Sequence, residues 1–97
     1  MANKVKEWNK QRAKLKKEFI KRGITKCEIK LDGCWHNNGL SFAHRHKRIW
    51  YYPEDKKELL GDFNQVLLAC PVCHTKIEGN KQLTSDIFHR LRGEEKL

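Results

Sequence analysis

Apolar side chains in the first quarter of the chain recur at helical intervals. Val5, Trp8, Leu15 and Phe19 stand three, seven and four residues apart, with Ile20 beside the last, and the positions between them are mostly charged. That periodicity predicts an amphipathic helix over residues 4–23, stopped by Gly23. Residues 24–39 lose the pattern and carry turn formers, including the hairpin-type pair Asn38-Gly39. Alternation of apolar and polar positions then predicts a strand over residues 40–48, with His44 and His46 pointing the same way. Pro53 to Gly61 has proline and acids early and glycine late, which suits a short helix. The run Val66-Leu67-Leu68-Ala69 reads as a second strand, and residues 74–78 open a helix behind it. A last helix, capped by Thr84 or Ser85 and ended by Gly93, buries Ile87, Phe88 and Leu91.

Ninety-seven residues form one domain. A chain this short buries only about 60–65% of its unfolded surface, so a staple beyond the hydrophobic core is expected. Four cysteines supply either two disulfides or a metal site. Nothing near Met1 resembles a secretory leader, which predicts a cytoplasmic protein with reduced thiols and favours metal. Cys70-x2-Cys73 has the spacing of a zinc knuckle, whereas Cys27 and Cys34 enclose six residues and demand a bulged loop. Together the four predict a tetrathiolate structural Zn2+ whose binding energy becomes folding energy.

The formal charge of +9 points to a polyanionic partner. Residues 4–22 hold nine Lys or Arg against Glu7 and Glu18, so +7 of that charge sits in one element. Lys14 and Lys17 on this helix, and Arg45, Lys47 and Arg48 around the histidines, are the candidate phosphate contacts. The plain reading of each is a solvated basic surface. The apolar stripe is too narrow for a membrane surface, and no stretch is apolar enough to span one.

The histidine pair Ala43-His44-Arg45-His46, a polar loop with Asn64, and Cys70-Pro71-Val72-Cys73-His74 followed by Lys76 resemble the HNH endonucleases, also called ββα-metal or His-Me finger nucleases. The resemblance covers residues 27–78. It implies an α+β fold: a small ββα-metal core stapled by a zinc knuckle, with an N-terminal basic helix and a short C-terminal helix at residues 84–93. It implies hydrolysis of DNA phosphodiester bonds, by nicking or double-strand cutting, with weak sequence preference and a monomeric or homodimeric protein.

By the same resemblance His44 is the base that activates water, Asn64 braces the loop that holds it, and His74 binds a catalytic divalent metal such as Mg2+ or Mn2+, with Zn2+ or Ni2+ as alternatives. The family keeps an Asp or His where this chain has Ala43, so His46 is the expected second ligand. The converse assignment, His44 as ligand and His46 as base, stays open, as does Gln65 in place of Asn64. Compact basic proteins of this kind resemble those encoded by phages. Two other readings remain: a non-catalytic zinc-stabilised DNA-binding module, and a small interaction protein whose basic helix binds an acidic partner.

Overall fold

The computed structural model describes residues 2–95, with side chains from Lys6 onward. The N-terminal helix, α1, spans Ala2–Lys21. Its buried line is Trp8, Gln11, Leu15 and Phe19, with Leu15 and Phe19 fully inside. Ile20, predicted on the buried stripe, is instead exposed, and Gln11 takes a place on that face; Val5 lies outside the described side chains. Gly23, at φ 75°, ends the helix in a Schellman turn: Gly23 N–H donates to Ile20 O and Ile24 N–H to Phe19 O. Ile24 then packs beside Phe19, closing the turn with an apolar contact.

Two short strands, β1 (Ser41–His44) and β2 (Val66–Ala69), pair antiparallel with Ser41 opposite Ala69 and His44 opposite Val66. The strand predicted to reach residue 48 ends at His44. One more ladder bond, Arg45 N–H to Gln65 O, follows it, and the chain then turns into a 3₁₀ segment at Arg48–Tyr51. Pro53–Gly61 is a turn followed by 3₁₀ structure at Lys57–Gly61 rather than an α-helix. Asn38-Gly39 leads into β1 without joining two strands, because the partner of β1 comes more than twenty residues later.

Helix α2 (Pro71–Glu78) starts directly after β2, with Cys70 as its N-cap and Pro71 in its first turn. Helix α3 (Lys81–Arg92) is capped by Asn80, whose Oδ1 accepts from Leu83 N–H at 3.0 Å. The predicted cap at Thr84 or Ser85 therefore lies one turn too late. Thr84 donates its hydroxyl to Ile77 O and so ties α3 to α2.

Side-chain alternation splits the sheet into two faces. Phe42, Val66 and Leu68 pack with Leu15 and Phe19 of α1. Ala43, Leu67 and Ala69 pack with Cys70, Cys73 and Ile77 of α2 and Ile87 and Phe88 of α3. The result is a small α+β structure with α1 on one face and α2 and α3 on the other. Arg92 clamps its edge: the guanidinium donates to Phe63 O, Val66 O and the Glu28 carboxylate, a nearly buried ion pair at 2.8 Å. Glu28 in turn accepts from Leu68 N–H at 2.7 Å, so the segment after Cys27 lies along the outer edge of β2.

Candidate metal centre and histidine cluster

Cys27, Cys34, Cys70 and Cys73 bring their sulfurs within 4.8 Å of one another. No pair is bonded, and Cys34 and Cys70 stand 3.9 Å apart. Tetrahedral zinc with Zn–S bonds of about 2.3 Å places neighbouring sulfurs about 3.8 Å apart, so the donor set fits a tetrathiolate ion. The six-residue gap between Cys27 and Cys34 is absorbed by left-handed backbone at Lys30 (φ 55°) and Gly33 (φ 81°), with His36 (φ 57°) just after.

Backbone N–H groups aim at the sulfurs: Trp35 N–H to Cys70 Sγ and His36 N–H to Cys34 Sγ, each at 3.3 Å, and Cys73 N–H to Cys70 Sγ at 3.5 Å. Burial resists ionisation of Cys70, but the Cys73 and Trp35 N–H groups, helped by the neighbouring thiols, pull it down to about 6. At Cys73 burial prevails and pushes the thiol up to about 12. Three of these cysteines are buried and Cys34 is half-buried, and the cluster can hold a metal ion. Among the described residues it is the one group of three or more His, Cys, Asp or Glu side chains with that capacity.

The three predicted histidines occupy three different settings. His44, at the end of β1, lies on the α1 face, its ring edge-on to Trp8 (5.0 Å between centroids) and Tyr51 (5.3 Å). Its Nε2–H donates to Leu60 O at 3.0 Å, which leaves Nδ1 as the acceptor. Burial, followed by the charges of Arg48 and His74 against the opposing pull of the Leu60 carbonyl, lowers its pKa to about 4. The imidazole is neutral at physiological pH.

His74 sits in the first turn of α2, and its Nδ1 is 3.0 Å from Ser41 Oγ. Ser41 and His44 alternate along β1, so His74 reaches the strand from the face opposite His44. His46, expected beside His44 on one strand face, lies beyond the strand. It stacks on Trp50 at 4.0 Å, and its Nε2 is 2.8 and 2.9 Å from the two carboxylate oxygens of Glu95. His46, expected to share a metal with His74, is hydrogen-bonded to the Glu95 carboxylate.

Of the two candidates for the bracing amide, Gln65 is the buried one. Asn64 is exposed, whereas Gln65 is buried, accepts from Tyr51 O–H at 2.8 Å and donates to Glu95 Oε2 at 2.5 Å. Tyr51 O–H also receives His46 N–H, so His46, Tyr51, Gln65 and Glu95 close a ring of hydrogen bonds. Arg45, predicted to face phosphate, donates instead to Asn64 O and Gly93 O. Lys47, Arg48, Lys14 and Lys17 are exposed, with Arg48 lying over the Trp8 ring. His36, His89 and Trp35 are exposed.

Glu95, Ser41 and the Leu60 carbonyl escaped the sequence reading because no motif links positions so far apart. Glu78 had a local signal: it is exposed on α2 one turn beyond His74, the i, i+4 spacing that puts two donors on one helix face. No family model matches this sequence, and no curated protein or solved structure matches it.

Proposed function

We propose that this protein is a zinc-stapled, metal-dependent endonuclease of the HNH type that hydrolyses DNA phosphodiester bonds. The observation that carries the reading is the β1–β2–α2 unit. A helix entered through a cysteine knuckle carries His74, hydrogen-bonded to the strand that bears His44, and the two imidazoles are near enough for the charge of one to act on the other. In this reading the tetrathiolate ion is Zn2+ and structural.

His74 supplies the ligand for a divalent cation. With Nδ1–H donating to Ser41 Oγ, the Nε2 lone pair is oriented outward, as a second-shell partner does for a metal-bound histidine. Glu78 adds an oxygen donor on the same helix face. Mg2+ or Mn2+ bound there supplies charge stabilisation to the phosphoryl group and its leaving oxygen, and such ions need few protein ligands because water and phosphate oxygens complete their shell. His44, held neutral and oriented by Leu60 O, accepts the proton of the attacking water on Nδ1. Arg48, close by, neutralises phosphate charge.

One observation favours a second reading. Ala43, at the strand position facing α2 where the family keeps a metal ligand, is 1% exposed and apolar. A non-catalytic zinc-stapled DNA-binding module is the protein this would leave.

Plasmid nicking across a divalent-metal series decides between them. The endonuclease cuts supercoiled DNA with Mg2+ or Mn2+, leaving 5′-phosphate ends, and His74→Ala and His44→Gln each remove cutting while circular dichroism shows an intact fold. A zinc-loaded protein that binds DNA but cuts neither duplex nor single strands with any divalent ion is the binding module.

A further inference from the structure

Helix α1 carries a feature that the histidine site does not use. Lys6, Lys10, Lys14, Lys17 and Lys21 recur at i, i+4, i+8, i+11 and i+15, which aligns them on one helix face. That face is opposite Trp8, Gln11, Leu15 and Phe19, the residues that seat α1 on the sheet, and all five lysines are exposed. At 1.5 Å per residue the row is about 22 Å long. Its acids are spoken for: Glu7 accepts from Gln11 and pairs with Lys57, and Glu18 pairs with Arg22. None of the five lysines has an ion-pair or hydrogen-bond partner among the described residues. Glu54 and Asp55 share a cleft with Lys10, so the uncompensated stretch is Lys14 to Lys21.

We infer that this lysine row is a docking ridge for the backbone of duplex DNA, holding a run of phosphates other than the bond presented to His74. The chemistry fits a duplex, which carries one charge per about 1.7 Å of axis, so a straight row of cations meets phosphates along its whole length. A membrane surface fits poorly, because among the described side chains of α1 the large apolar ones lie toward the core except Ile20. The separation from the nuclease centre follows from the layers. The row faces solvent on the far side of α1, whereas His74 belongs to α2 on the other face of the sheet. The row therefore tethers the protein to DNA independently of the bond being cut. This inference rests on the DNA-binding half of the proposed function and not on cleavage.

The test measures affinity for a fluorescent duplex of about 20 base pairs against salt, for wild type, Lys14/Lys17/Lys21→Gln, a charge-matched Lys26/Lys81/Arg90→Gln control, and His74→Ala. Each phosphate contact contributes about −0.9 to the log–log slope, so the row variant loses roughly 2–3 units of slope. The control and His74→Ala keep the wild-type slope. Circular dichroism verifies that the row variant keeps its helix. A row variant with wild-type slope, or a control that loses as much, overturns the inference. So does tighter binding to phosphatidylserine vesicles than to duplex at matched charge. A wild-type protein that binds with the expected slopes but never cuts DNA leaves the ridge standing and removes only the endonuclease reading.

Discussion

His46 Nε2 contacts both carboxylate oxygens of Glu95, joining the chain's histidine segment to its C-terminal segment across nearly fifty residues. Burial raises the Glu95 carboxyl, and hydrogen bonds from Gln65 and His46 with the charges of His46 and Arg45 outweigh it, so its pKa lies below the usual carboxylate range. The contribution is present above the unfolded carboxyl pKa of about 4.5 and fades as pH falls through the lower folded value.

Replacing this carboxylate leaves the buried amide of Gln65 without its acceptor. Glu95→Ala is expected to cost about 1–3 kcal/mol in urea denaturation at pH 7. In a double-mutant cycle with Gln65→Ala, the two changes should cost less together than their sum. Additive effects would mean that the hydrogen-bond ring has no cooperative value.

The cysteine cluster predicts that folding depends on metal. Purified protein should contain one zinc per chain by atomic emission, and a strong chelator should collapse its circular dichroism spectrum. Cys70→Ser should fail to fold because Cys70 is at once a candidate ligand and the N-cap of α2. A metal-free protein with an unchanged spectrum would contradict this.

His44 predicts a particular pH dependence. Its pKa is about 4 in the fold against 6.5 ordinarily, so between those values the unfolded chain binds more protons than the folded one. The stability held by neutral His44 is complete above pH 6.5 and declines toward pH 4, by about 3 kcal/mol in all. The groups against the ring are Trp8 of α1, Tyr51 and the Leu60 carbonyl, with the charges of Arg48 and His74 acting from farther off. His44→Gln retains a donor toward Leu60 O and should flatten the stability curve over that range. A variant whose curve keeps the wild-type slope would show that other groups cause it.

Ser41 is exposed and orients His74, so removing its hydroxyl should act on metal binding and not on folding. Ser41→Ala is expected to raise the Mn2+ concentration needed for half-maximal nicking by about 10–100-fold with little change in melting temperature. An unchanged metal requirement would show that the Ser41 contact does not tune the ligand.

Local chemistry was enough to place several features. Gly23 had to end α1 because a left-handed residue is needed there, and the Cys70-Pro71-Val72-Cys73 spacing marked a candidate metal knuckle, although the helix expected from residue 74 begins inside it at Pro71. Val66–Ala69 was legible as a strand because it is buried on both faces and so reads as an unbroken apolar run. These features depend on neighbours in sequence.

What only the tertiary structure decided depends on distant partners. The strand stops at His44 because residues past Arg45 find no ladder partner, and Tyr51 and Glu95 capture the backbone and ring of His46 instead. Gln11 enters the buried face because Gly61 leaves room for its amide, a close approach that no local pattern reports. The assignment of His44 and His74 to opposite sheet faces follows from two-residue alternation once α1 and α2 have taken their sides. That choice of side is made by the whole core, which residue spacing alone does not report.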